Sequence, residues 1–266
     1  MEDYGMGMQI QETIMDKNFI PVVGGVGYAQ PSLEVLSCAT CSIRGGCLAE
    51  QLTIAHNHSY QVVKNRKVLS KGKHIFRAGD AAKAIYVVSS GSVKSYMLME
   101  NGEEQVLGYY LSGDIFGLDA MGGSSHISST VALEEATICK LPLSGLENRV
   151  LGKGFLNMIS DNLLREKNLM LMLARKDADG RLASFLIDMS KRIEKHGHHS
   201  EGYLVDVIKL PMTRHDIANY LGLAIETVSR VLRRFQDSGM LDVTRREVKI
   251  YDYNCLLAVA GVQVTY

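Results

Sequence analysis

The apolar residues of this chain change period at about Pro142, and that change limits the folds open to it. Before it, from about Tyr60, short β-rich runs recur: His74-Ile-Phe-Arg77, Ala84-Ile-Tyr-Val-Val-Ser89, Ser92-Val-Lys-Ser-Tyr-Met-Leu-Met99 and Gln105-Val-Leu-Gly-Tyr-Tyr-Leu111. Ala78-Gly-Asp80, Ser89-Ser-Gly91, Asn101-Gly102 and Ser112-Gly-Asp114 separate them. Asn-Gly between alternating runs is a strong signal for a two-residue hairpin. Short strands at regular spacing predict a compact antiparallel roll or barrel. After Pro142, Ser144-Gly-Leu-Glu147 reads as a capping box that opens a helical region. There Leu156, Ile159, Leu163, Glu166, Met170 and Leu173 follow a 3-4-3-4-3 spacing. That is a heptad seam, and it predicts pairing between two copies of one helix. Leu164, Leu169, Leu171 and Met172 supply a second apolar face for docking on the helix's own domain.

Glu166 is out of place on such a seam. In a symmetric pair it would approach its own copy across the twofold axis, and two like charges resist burial together. Either Glu166 turns its long side chain out to solvent, or the seam gives a dimer of marginal stability. After Lys176-Asp-Ala-Asp-Gly180, a second amphipathic helix is expected from Leu182 to about Glu194, followed by the solvated tract Lys195-His-Gly-His-His199.

The C-terminal third has the pattern of a winged helix-turn-helix. Thr213-Arg-His-Asp216 is a capping box that starts a helix at about Arg214. Ala218 is its small buried residue, Gly222 permits the tight turn, and Val228 and Val231 are the buried positions of the second helix. The other face of that helix carries Glu226, Thr227, Ser229, Arg230, Arg233 and Arg234. Glu226 can accept from cytosine N4, Arg230 can grip guanine O6 and N7, and Ser229 can serve either neighbour. Arg233 and Arg234, a turn further on, suit phosphates, with Thr213 and Arg214 at the start of the preceding helix. Ala224 stands where an N-cap Ser or Thr is expected. Leu241-Asp-Val-Thr244 and Glu247-Val-Lys-Ile-Tyr251, joined through Arg245-Arg246, form a wing hairpin.

Charge supports this division. Residues 1–174 carry 15 Lys/Arg against 17 Asp/Glu, a net of −2; residues 175–250 carry 14 against 11, a net of +3. A basic C-terminal half suits a polyanionic partner such as double-stranded DNA. No apolar run approaches the ~18 residues of a membrane span, and the start of the chain, with Glu2, Asp3, Glu12, Asp16 and Lys17, is unlike a signal peptide. A cytoplasmic setting follows, where thiols stay reduced and clustered cysteines more often bind metal than form disulfides. Cys38, Cys41 and Cys47 fall within ten residues, with Cys139 far downstream and Cys255 in an apolar run that reads as core. Three clustered soft ligands and a distant fourth point to a metal centre joining two parts of the fold. Structural zinc is the weaker reading, since it favours two paired Cys-x2-Cys units. No dinucleotide fingerprint or nucleophile–base pair accompanies them, so an enzyme is not expected.

In order, the motifs are Cys38-x2-Cys41-x5-Cys47 with Cys139, Phe76-Arg-Ala-Gly-Asp80, Ser90-Gly-Ser-Val-Lys-Ser95, Gly113-Asp-Ile-Phe-Gly-Leu-Asp-Ala120, Met212-Thr-Arg-x-Asp-Ile-x-Asn-Tyr-Leu-Gly-Leu223, Glu226-Thr-Val-Ser-Arg230 and Phe235-Gln-x-Ser-Gly-Met-Leu241. Over roughly residues 38–255 the chain resembles the family of the cyclic-AMP receptor protein, and within it the oxygen-sensing fumarate–nitrate reductase regulator (FNR) branch. The resemblance implies an α+β fold: an N-terminal antiparallel β-roll of the cupin or cyclic-nucleotide-binding kind, a long dimerisation helix and a C-terminal winged helix-turn-helix. The expected divisions are 1–50 for a leader with the cysteine segment, 51–150 for the sensor roll, 151–180 for the dimerisation helix and 181–266 for the DNA-binding domain.

The resemblance further implies that Cys38, Cys41, Cys47 and Cys139 hold a [4Fe–4S] cluster, in keeping with its preference for four thiolates. It implies a homodimer that binds a palindromic site when the cluster is present and a monomer in oxygen. An acidic residue stands at the position of Glu166 in the family, Glu226, Ser229 and Arg230 match its base-reading residues, and Gly102 and Glu103 sit on a hairpin tip that touches RNA polymerase. Two departures are Ala224 and Gly46, which replaces a bulky apolar neighbour of the third cysteine. A cyclic nucleotide is not expected: Phe116-Gly-Leu-Asp119 replaces the usual Gly-Glu-Leu stretch, and Ser124–Val131 contains no Arg to hold a phosphate.

Overall fold

A computed structural model describes residues 20–21, 41, 43, 47, 65–145, 153–196 and 207–261. Strands and helices are numbered in chain order. The glycine-punctuated region forms two antiparallel sheets facing one another. One contains β1 (Ile20–Pro21), β2 (Asn65–Leu69), β4 (Ala84–Ser90), β7 (Ile115–Phe116) and β9 (Ala136–Pro142), in the order β1-β2-β9-β4-β7. The other contains β3 (His74–Phe76), β5 (Ser92–Leu98), β6 (Glu104–Leu111) and β8 (Ser129–Ala132), in the order β3-β8-β5-β6. Phe76, Tyr86, Val88, Val93, Phe116 and Ile138 fill the space between them.

The expected two-residue hairpin at Asn101-Gly102 is longer than the sequence predicts. Met99 N–H donates to the Glu103 carbonyl (2.8 Å) and Gly102 N–H donates to the Met99 carbonyl (2.9 Å). Three residues therefore lie between the paired Met99 and Glu103, and only Gly102 takes positive φ, at 81°. The Asn101 side chain explains why: its Oδ1 accepts from Glu103 N–H and its Nδ2 donates to the Glu103 carboxylate, which fastens the wider loop.

Helix α1 (Lys153–Arg175) crosses the roll, and α2 (Ala178–His196) follows after a break of two residues. Of the expected capping box, Leu143–Gly145 forms a 3-10 turn, and the rest lies outside the described residues. Lys176-Asp-Ala-Asp-Gly180 is not all loop. Asp177 Oδ1 accepts from Gly180 N–H (2.9 Å), so Asp179 and Gly180 already belong to the first turn of α2. The His tract beyond His196 lies outside the described residues.

The C-terminal part contains α3 (Arg214–Leu221), α4 (Ile225–Asp237), a three-stranded sheet ordered β10-β12-β11 from β10 (Val207–Lys209), β11 (Leu241–Thr244) and β12 (Glu247–Ile250), and α5 (Tyr253–Val259). Its core is continuous with the edge of the roll. Val106, Tyr109 and Leu111 of β6 share one cluster with Phe185, Leu186, Ile217, Val228, Val231 and Phe235. Cys255 is exposed on α5 rather than buried, because the core position of that helix falls one residue later, at Leu256.

Candidate metal centre and nucleic-acid interface

Cys139 owes its position to the period-2 geometry of β9. Ile138 points into the roll while Cys139 and Leu141 point outward, and on β4 Ile85 and Val87 do the same. The outward side chains do not meet solvent. They form a second apolar cluster with Cys47, Ile43, Cys41 and, from α1, Phe155, Met158 and Ile159. Three of the four expected cysteines thus come together from segments far apart in the chain; Cys38 lies outside the described residues. Among the described residues, no three His, Cys, Asp or Glu side chains converge closely enough to form a ready metal site.

Among the described residues, Arg66 and Ser89 bring polar groups to this apolar cluster. Arg66, opposite Cys139 in the β2–β9 register, places its Nε 3.3 Å from the Cys139 sulfur. The Ser89 hydroxyl lies 3.3 Å from the Cys41 sulfur. Burial pushes the Cys139 thiol up, opposed by the Arg66 charge and by hydrogen bonds from Arg66 and Ser89. Arg66 and Ser89 are not legible as site residues in the sequence; the signal available is the alternation of β2, once its pairing with β9 is known.

On α1 the seam positions Leu156, Leu163, Glu166 and Met170 are exposed, while Ile159 and Leu173 are half-buried at its border. The docking face keeps Leu169 and Met172 of the one the sequence predicts but not Leu164 and Leu171. Phe155, Met158, Asn162, Leu169 and Met172 turn toward the chain's own domains, whereas Leu164 and Leu171 are exposed. At about 100° per residue, Leu164 and Leu171 fall well round from Leu169 and widen the uncovered stripe instead.

The reading head follows its sequence closely. Thr213 and Asp216 form the reciprocal capping box, and Gly222 ends α3 at φ 60°. Ala224 sits at the N-cap of α4 in extended conformation with no side-chain cap bond. Val228, Val231, Leu232 and Phe235 are buried, while Glu226 and Arg230 are exposed and Thr227 and Ser229 half-exposed. Arg214, Ser229, Arg230 and Arg233 line one basic depression. Arg233 pairs with Asp237 (3.3 Å), and Arg234, which lines the same depression, pairs with Asp179 at the start of α2. The wing is a hairpin of β11 and β12 whose turn residue Arg245 takes φ 46°.

Residues 180–259 match the Crp-like helix-turn-helix domain, and residues 66–151 match the cyclic nucleotide-binding domain. The fumarate and nitrate reduction regulatory protein of Salmonella typhi is 36% identical over 234 residues, which span 85% of this chain and 91% of that protein. The chain belongs to the FNR branch of the cyclic-AMP receptor protein family. Its FNR relative in Escherichia coli K12 is 35% identical over the same share of both chains. FixK2 from Bradyrhizobium japonicum superposes with a TM-score of 0.64 at 30% identity, covering 73% of this chain and 96% of that one. A CRP/FNR-family regulator of Thermus thermophilus gives 0.59 at 23% identity, over 74% and 98%, and shares the fold. Like its FNR relatives, the protein is a DNA-binding transcription regulator, and among the described residues no helix is long and apolar enough to cross a membrane.

Several family-motif residues tie the reading head to the roll. Lys94 of β5 bonds both Glu104 and Asp216 at 2.7 Å, and Asp216 is the capping carboxylate of α3. Burial alone would raise the Asp216 carboxyl, but bonds from Lys94 and Thr213 hold it below the usual range. Asn219 of α3 accepts from Val106 N–H (2.5 Å) and donates to the Glu104 carbonyl on the β6 edge. Asp114, just beyond the end of β6, accepts from Arg165 of α1 (2.9 Å) and Arg192 of α2 (2.5 Å). Burial would raise this carboxyl too, yet the two guanidinium charges hold it low. Asp114 joins the roll to both long helices at one carboxylate.

Proposed function

We propose that this protein is an oxygen-responsive regulator of anaerobic metabolism, active as a homodimer on palindromic DNA when Cys38, Cys41, Cys47 and Cys139 hold a [4Fe–4S] cluster. The observation that carries this reading is the shared cluster of Cys41, Cys47 and Cys139 with Phe155, Met158 and Ile159. The donor set fits: described thiols in an apolar enclosure, with hydrogen-bonding groups aimed at two of the sulfurs. When bound, the cluster supplies an oxygen-labile centre that only four thiolates hold in place.

The chain's own residues do the rest. Cys41 and Cys47, drawn toward Cys139, press on Phe155 and Ile159, and Ile159 lies on the seam. Seating this end of α1 sets the angle at which Leu156, Leu163 and Met170 meet the partner helix. Glu166 opposes that meeting, so the pair forms only with the cysteines ligated, and air returns the protein to monomers. In the dimer, two copies of α4 enter successive major grooves about one helical turn apart. Glu226, Ser229 and Arg230 read base edges, with Thr227 beside them. Thr213, Arg214 and Arg233 hold phosphates. The hairpin tip at Gly102 and Glu103, which is exposed, is the contact for RNA polymerase, and the setting is cytoplasmic. A cyclic nucleotide has no role here. In the loop that a phosphate would occupy, the Asp119 carboxylate accepts from Ile127 N–H and bonds the His126 ring, an arrangement that repels an anion.

The test is anaerobic purification. Brown protein with iron and sulfide near four of each, which bleaches in air and loses DNA affinity, supports the reading. Colourless protein that holds zinc overturns it.

A further inference from the structure

Outside the cysteines themselves, the apolar pocket beside α1 receives a buried guanidinium. Arg66 is 5% exposed and lies directly across the sheet from Cys139, so the two side chains share one face by register. Its Nε is 3.3 Å from the Cys139 sulfur. Burying an arginine in an apolar cluster is costly unless its hydrogen bonds and charge are used. Cys139 is carried by a strand of the roll, whereas Cys38, Cys41 and Cys47 share a ten-residue segment.

We propose that Arg66 is the positioning residue of this centre. It donates a hydrogen bond to the Cys139 thiolate, fixes that sulfur toward the other three and offsets part of the negative charge that four thiolates gather in an apolar pocket. The inference rests on the four-cysteine reading above. Hydrogen bonds to ligand sulfurs and nearby charge are the protein's main means of tuning such centres, and loss of a supporting group of this kind typically costs about 10–100-fold in metal affinity. Ser89, beside Cys41, is a second donor of the same kind, held by β4. Both donors belong to the roll, on the strands flanking β9, and they face one sulfur from each of the two segments that the centre joins, Cys139 and Cys41.

The experiment compares wild type, Arg66→Met and Arg66→Lys, each loaded with iron and sulfide under nitrogen. Three readouts are taken: iron per chain, the rate at which a ferrous chelator removes iron without oxygen, and the energy of the visible sulfur-to-iron absorption. Arg66→Met is expected to lose iron about tenfold faster than wild type and to shift that absorption to lower energy, because an unbonded thiolate donates more strongly. Arg66→Lys, which keeps the charge without the fixed guanidinium geometry, is expected to fall between them. A purely structural role would lower the melting temperature of the metal-free protein without moving the absorption of the chains that load. If Arg66→Met does not fold, the comparison of Arg66→Lys with wild type decides. Equal release rates and equal spectra in the folded variants overturn the role of Arg66 while leaving the centre intact. A wild type that takes up no iron–sulfur centre overturns the reading beneath both.

Discussion

At the scale of single residues, side chains quoted for their motif turn out to have structural duties that the motif does not state. Lys94 and Asn219 stand in recognisable stretches with no role attached, and the structure uses them to tie α3 to the roll. Cys139→Ser is expected to leave the fold intact and to abolish iron retention and anaerobic control; unchanged iron content would remove Cys139 from the centre. Ala224 occupies an N-cap whose backbone, at φ −70° and ψ 147°, suits a serine. Ala224→Ser should add about 1 kcal/mol to the stability of the reading head, seen as a higher melting temperature with the base preference of the site unchanged. Arg66 escapes sequence reading for a physical reason. An arginine on a short strand looks solvated until the pairing of β2 with β9 places it beside a thiol.

At the scale of elements, local signals locate most of the fold. The capping box, the left-handed Gly222 and the buried Val228 and Val231 define α3 and α4 from sequence, because each depends on neighbours within one or two turns. For α1 the same logic reaches only half-way. Heptad spacing marks the exposed seam, but which other face docks depends on the roll, and that face runs through Phe155, Met158 and Asn162 rather than Leu164 and Leu171. The uncovered leucines and methionines are expected to pair with a second copy, and Glu166 to weaken that pair. Glu166→Ala should tighten dimerisation in air by about tenfold, as relief of like charges of this kind is worth about 1–2 kcal/mol at a partly screened site. Sedimentation that finds the same monomer fraction as wild type in air would remove the repulsion.

At the scale of the whole molecule, the roll and the reading head share a core and a small set of buried polar ties. Asp114 is the densest of these ties, and Asp114→Asn takes from Arg192 the more deeply buried of its two carboxylate partners. About 3–5 kcal/mol of stability should be lost, measured by denaturant titration. The pH dependence has a definite sign. The native Asp114 carboxyl is held below its unfolded value of about 3.9, so its contribution is complete above that value and is lost as pH falls through the native one. Acid unfolding below about pH 4 should therefore be shallower in Asp114→Asn, with no difference in slope between about pH 5 and 8. None of these ties is visible in the sequence, since each joins residues far apart in the chain. The most direct test of the whole account follows one anaerobic sample through controlled exposure to air, recording its visible absorption, its mass by sedimentation and its affinity for a palindromic duplex. The account predicts that colour, dimer and tight binding are lost together; tight binding by a dimer that persists after the colour has gone would contradict it.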